Sequence, residues 1–159
     1  MKIRYQIFTF LLGGLLLLPD LAFGTAQTPE YLILNGDTLA MHSTPLQSYL
    51  HENPEAREAL KSKLGGCSST ACGRDYIGYW TLRNDSLFLV DLRHCCYEDV
   101  SARNLFPQLF NRETAVAPVF AKWFSGEIVI PEGKLLQYVD MGFLAGHERE
   151  RILYFEKGV

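Results

Sequence analysis

The signatures by which chemistry is most easily read from a sequence are missing from this chain of 159 residues. It has no G-x-S-x-G elbow, no H-E-x-x-H, no phosphate loop, no dinucleotide fingerprint and no EF-hand loop, so the familiar hydrolase, metalloprotease, nucleotide and calcium readings lack an anchor. No C-x-x-C occurs, which removes the thioredoxin-type redox motif. With a net charge of −3 and no polybasic run, the chain offers neither a nucleic-acid surface nor an attraction to anionic lipid. Long apolar runs are missing too: the stretch from Ile7 to Leu18 is shorter than the roughly 20 residues that span a bilayer.

That short run sits in a characteristic setting. Lys2 and Arg4 precede it, two glycines interrupt it, and Pro19-Asp20-Leu21-Ala22-Phe23-Gly24 closes it. A cationic start, a short apolar stretch and small residues for the peptidase make a secretory signal, so residues 1–24 are expected to be cleaved after Gly24, with a cut after Ala26 as the alternative. A retained anchor would need a longer run. The expected product, residues 25–159, is one domain's length and carries −4, since Lys2 and Arg4 leave with Asp20. It is expected to be periplasmic or secreted, with no membrane span after cleavage.

Four cysteines, Cys67, Cys72, Cys95 and Cys96, lie within 30 residues. In an oxidising compartment an even count favours disulfides. A ring between the adjacent Cys95 and Cys96 would strain their peptide, so Cys67 and Cys72 are each expected to bond one of that pair, the assignment left open. Tetrahedral zinc, with His94 as a further ligand, is the alternative; the spacing is unlike that of zinc knuckles. No metal or other cofactor is expected.

Turn and cap chemistry outlines the remaining chain. Asn35-Gly36 between Glu30–Leu34 and Thr38–Met41 predicts a tight hairpin. Thr44-Pro45-Leu46-Gln47 reads as a helix start, and Asn53-Pro54 as a second one that runs to Gly65-Gly66 with Ala56, Ala59, Leu60 and Leu64 on one face. From Asp75 the pattern becomes β: Tyr76–Leu82 and Ser86–Leu92 flank a turn at Arg83-Asn84-Asp85. A short helix or turn is expected over Ala102–Phe110. Strands follow over Phe120–Ile130 and Lys134–Met141 around a Pro131-Glu132-Gly133 turn, then a last one over Arg149–Glu156. The fold class is α+β, predominantly antiparallel sheet with one or two early helices.

Candidate functional residues are few. Arg74-Asp75 could anchor the sheet or read an anion through the planar guanidinium. Tyr76, Tyr79, Trp80, Trp123 and Phe124 could stack on sugars or fill a protein-binding hot spot, although Trp80 and Trp123 fit a core better. His42, His51, His94 and His147 share no helical spacing. His147, expected in a loop beside Glu148, could act as a general base, and Asp91, Glu98, Asp99 and Asp140 could supply a glycosidase-like carboxylate pair.

Cys72-Gly73-Arg74-Asp75-Tyr76 with Trp80, the Cys95-Cys96-Tyr97 pair, and the block from Trp123 through Pro131 and Tyr138 to Met141-Gly142-Phe143 together resemble a family of small, uncharacterised exported bacterial proteins. The likeness covers most of the expected mature domain. This chain departs from it at Gly73 and Asp75, where the family carries an aromatic residue and a glycine. The resemblance implies export but no activity. The leading expectation is an exported binding or interaction protein, inhibitor-like or immunity-like, whose partner is a protein or glycan and not a nucleic acid. The alternatives are an envelope hydrolase of glycan or peptide that uses His94 or His147 with a carboxylate, and a structural envelope component.

Overall fold

The computed structural model describes residues 25–67, 69–111 and 117–159; the expected signal segment, residues 1–24, lies outside them. The chain is α+β and mostly antiparallel. β1 (Glu30–Leu34) and β2 (Asp37–Met41) form the first hairpin, followed by α1 (Leu46–Glu52) and α2 (Pro54–Leu64). A 3-10 turn at Thr70–Cys72 leads into β3 (Tyr76–Arg83) and β4 (Ser86–His94). Another 3-10 turn at Arg103–Leu105 runs into the short α3 (Phe106–Leu109), and β5 (Val119–Phe120), β6 (Gly126–Gln137) and β7 (Gly146–Phe155) complete the fold.

Both early hairpins turn where their residues permit positive φ. Asn35 and Gly36 stand at 53° and 91°, and Asn84 and Asp85 at 48° and 59°, the conformation that a two-residue hairpin turn needs to match strand twist. Five strands then order as β2-β1-β3-β4-β5. The one parallel pairing is β1 with β3, Leu32 opposite Trp80, which the return through α1 and α2 makes possible.

Alternation sends Leu32, Tyr76, Trp80, Leu87, Leu89 and Leu92 into one buried cluster with Leu46 and Leu50 of α1, Ala56, Leu60 and Leu64 of α2, and Phe106 of α3. Asn53 does not cap α2 with its side chain. Its Nδ2 instead donates to the Tyr49 carbonyl at 2.8 Å, closing the end of α1.

Pro131-Glu132-Gly133 is not a turn. β6 runs through it, Pro131 opposite Glu150, in a separate two-stranded sheet with β7. Proline is tolerated there because an edge strand needs no donor on its open side, and Gly133 at φ 77° takes up the register shift that follows Glu132. The reversal comes later, between Gln137 and Gly146. That places His147 at the start of β7 rather than in a loop.

Two disulfides, Cys67–Cys96 and Cys72–Cys95, use all four cysteines and fix the pairing. They are of the kind exported proteins form. No helix among the described residues is long and apolar enough to cross a membrane.

Candidate functional site

The most unusual buried chemistry begins at the first residue of β1. Glu30 lies in phase with Leu32, so its carboxylate enters the apolar side of the sheet and is wholly buried. Beside it Gly78 of β3 leaves the necessary space: a Cβ there would lie 2.6 Å from Trp80 Nε1 and closer still to Glu30 Oε2. Trp80 Nε1 donates to Glu30 Oε2 at 2.6 Å. Arg74 arrives from the disulfide-bonded segment after Cys72, where Asp75 at φ 68° turns the chain into β3. Its Nε stands 3.3 Å from Glu30 Oε1, and its Nη2 donates to the Thr28 carbonyl at 2.8 Å. The guanidinium also lies over the Tyr76 ring, 5.7 Å from its centre.

This cluster is incompletely satisfied. Glu30 Oε1, Arg74 Nε and the Tyr76 hydroxyl are buried and form no hydrogen bond, the first two being close enough for an ion pair but misaligned for a bond. Burial pushes the Glu30 carboxyl up to about 7, against Arg74 and the Trp80 N–H, which pull it down. Burial and Glu30 likewise raise the Tyr76 hydroxyl well above its ordinary value, Arg74 opposing.

A carboxyl raised on folding binds its proton more tightly in the native state. Its contribution is therefore full below pH 4.5 and is lost as pH rises through about 7. The shift corresponds to about 3 kcal/mol. Denaturation measured between pH 4.5 and 8 should show stability declining with pH, and Glu30→Gln should remove that decline and be the more stable form at pH 8. His42 works in the opposite sense: its pKa is lowered by burial and by His147, with Glu150 opposing, so its contribution is lost as pH falls below 6.5. An upward slope left in Glu30→Gln would be this residue's.

Above the cluster a cavity of about 410 Å³ opens between α1, α2 and the start of β3, lined among others by Gln47, Leu50, Arg57, Lys61, Arg74 and Tyr76. Glu58 and Asp75 lie on the same lining. A second hollow of about 430 Å³ shares Gln47, Gly73 and Arg74 with it and extends to Phe143.

The residues singled out from sequence separate into three places. Arg74 and Trp80 meet in the cluster and Asp75 borders its cavity. Trp123 is half-buried elsewhere, stacked on Phe110 at 5.2 Å and tilted against Tyr49, its Nε1 donating to the Pro45 carbonyl at 3.0 Å. It steadies the start of α1. His147 lies 5.7 Å from the ring of His42, which stacks on Phe143 at 5.0 Å; its Nδ1 is 3.3 Å from the Ala145 carbonyl.

His94 is committed to the backbone, its Nδ1 accepting the N–H groups of Cys96 and Tyr97 at 2.9 and 3.1 Å. Neither His94 nor His147 makes a hydrogen bond or ion pair with a carboxylate among the described residues. Asp91 is buried and occupied by the Ser101 hydroxyl, the Leu92 N–H and Arg93, while Asp140 accepts from the Ala26 N–H and the Tyr138 hydroxyl. No group of three His, Cys, Asp or Glu side chains among the described residues is placed to hold a metal ion. Glu30 and Gly78 went unnoticed in the sequence; the available signal was a carboxylate in phase with Leu32 and Leu34.

The other distinctive region is the arm formed by β6 and β7. Its base is tied to the end of β2: the His42 N–H donates to the Val129 carbonyl and the Val129 N–H to the Ser43 hydroxyl. Its tip is tied to the start of the described chain, Gln27 N–H donating to the Gly142 carbonyl at 2.8 Å and Gly142 N–H to the Thr25 carbonyl at 3.2 Å. Between and around these ties Leu135, Leu136, Tyr138, Met141, Leu144, Ile152 and Tyr154 are exposed, Tyr154 to 70%. Only Tyr97 and Val159 are comparable apolar exposures outside the arm among the described residues.

No protein-family model, curated protein or solved structure matches this chain.

Proposed function

We propose that this is an exported binding protein whose contact surface is the β6–β7 arm and whose partner is another protein. The observation that carries the reading is that seven large apolar side chains are exposed on this one arm and its connection, against two elsewhere among the described residues, a clustering of the kind that marks interaction surfaces.

Strand geometry supports a protein partner. Val129 turns its N–H and C=O toward Ser43 and His42, away from β7. Its opposite residue Ile152 therefore points its own backbone groups to the open side of β7, and alternation extends this to Glu150 and Tyr154. An open edge flanked by apolar side chains suits an added strand. The charged run Glu148-Arg149-Glu150-Arg151 guards the same edge against indiscriminate pairing.

Leu136→Ser with Tyr154→Ser should leave the denaturation midpoint within about 0.5 kcal/mol of the parent, as exposed substitutions do. Affinity for the physiological partner should fall at least tenfold, the range for truncated interface anchors. Unchanged affinity would refute the assignment of this surface.

A further inference from the structure

Granting that the arm is the contact surface, we propose that its partner supplies an extended segment that adds antiparallel to the open edge of β7. That segment carries apolar residues opposite Tyr154 and Ile152, a basic residue opposite Glu150 and an acidic one opposite Arg149. Among the described residues β7 shares its sheet with β6 alone. The backbone groups of Arg149, Arg151 and Leu153 are spent on β6, whereas those of Glu150, Ile152 and Tyr154 face outward.

Side chains follow the same period of two. Glu150, Ile152 and Tyr154 share the outer face, all of them exposed, and Arg149 and Arg151 lie on the face that Leu153 packs against the core. Along the edge, apolar contact is offered at 152 and 154 and charge at 149 and 150.

The charges select the strand. Arg151 already has Glu132 as its counter-ion. Arg149 and Glu150 are exposed and have none within ion-pair distance among the described residues. Residues directly opposite in an antiparallel pair share a face with their side chains in contact, so each of these charges meets one residue of the incoming strand, and a like charge there is destabilising. Glu148 adds less, because its carboxylate accepts the Lys134 N–H at 3.1 Å. From its own N-terminus the fitting segment reads apolar, any, apolar, any, basic, acidic.

A second copy of this chain fits less well. Self-pairing through the outward groups centres an antiparallel two-fold axis on one residue of β7. An axis on Glu150 or Arg151 sets two like charges face to face, and one on Ile152 leaves Glu150 opposite Tyr154 and Arg149 opposite Phe155. No axis from Glu150 to Leu153 gives either free charge an opposite partner.

The test titrates the oxidised, ¹⁵N-labelled protein with the blocked peptide acetyl-Val-Thr-Val-Thr-Lys-Glu-amide, to millimolar concentration, and with a control peptide in which Lys and Glu exchange places. The first should produce saturable shifts and slowed solvent exchange at the amides of Glu150, Ile152 and Tyr154, with no added protection at Arg149, Arg151 and Leu153. The control should bind about fivefold more weakly, the effect of reversing two cross-strand charge pairs. Arg149→Glu with Glu150→Lys should invert that preference, an outcome that a folding defect does not imitate. Equal affinity for the two peptides, shifts without the alternation, or no saturation would overturn the proposal. So would protection of the same amides by protein concentration alone, the mark of a second copy. Should the peptides fail while Leu136→Ser with Tyr154→Ser still weakens the physiological complex, the arm stands as the contact surface and only the added strand falls.

Discussion

Replacing Gly78 by alanine should cost the domain about 4 kcal/mol, or prevent folding altogether, although alanine is ordinarily tolerated in a strand far better than that. The new methyl would overlap Glu30 Oε2 and stand 2.6 Å from Trp80 Nε1. Neither can retreat, because both side chains are fully buried. Overpacking of this kind typically costs about 1–3 kcal/mol, and prising apart the Trp80–Glu30 bond leaves a buried donor without its acceptor for about 1–3 more. The control is Gly73→Ala. Gly73 has φ −62°, and a Cβ there would meet nothing within 4 Å, so this change should be neutral or slightly stabilising by reducing unfolded-state freedom. Denaturant midpoints measure both. A loss below about 1 kcal/mol for Gly78→Ala would mean that Glu30 is not where the cluster requires it.

Removing both disulfides should be the second large effect, about 6 kcal/mol, and the two should not contribute equally by simple addition. The bridges are nested, Cys72–Cys95 inside Cys67–Cys96, with sequence separations of 23 and 29. Closing either loop alone is worth about 3.5 kcal/mol in the chain-entropy model. Once one is closed, the other only completes a ring of roughly eight residues, worth about 2.5 kcal/mol. Each single replacement, Cys67→Ser with Cys96→Ser or Cys72→Ser with Cys95→Ser, should therefore cost about 2.5 kcal/mol. The fourfold variant should lose an amount comparable to the whole stability of a small domain. Denaturation of the three variants checks the sequence of values. Equal and additive losses near 3.5 kcal/mol would contradict the nested arrangement.

How far this structure could be read in advance depended on whether the relevant force was local. Asn35-Gly36 and Asn84-Asp85 fix their hairpins by backbone preference alone, and Pro54 begins α2 for the same reason, so these features were legible. The cysteines were legible as a set, because pairing within 95–96 is sterically poor. Which partner each took depended on how β3 and β4 deliver their ends, a long-range matter.

Pro131-Glu132-Gly133 has turn chemistry but lies in an edge strand, where a missing donor and a bulge cost little. The arm misleads in the same way: Ile152 and Tyr154 carry the alternation of a buried strand face, and nothing local announces that this face is left uncovered. Glu30 is the clearest case. Its environment is built from Thr28, Arg74, Tyr76, Gly78 and Trp80, brought together by the parallel register of β1 on β3, and a lone acidic residue at a strand start does not disclose that.

The assignment of the arm as the contact surface is tested most directly by site-specific photo-crosslinking in the native compartment, with a photoreactive residue placed in turn at positions 136, 154 and 61. Tyr154 and Leu136 are exposed on the arm, whereas Lys61 is exposed on α2. Positions 136 and 154 should yield one discrete adduct of the same protein, and position 61 none. Adducts that arise from position 61 while 136 and 154 stay silent would contradict it.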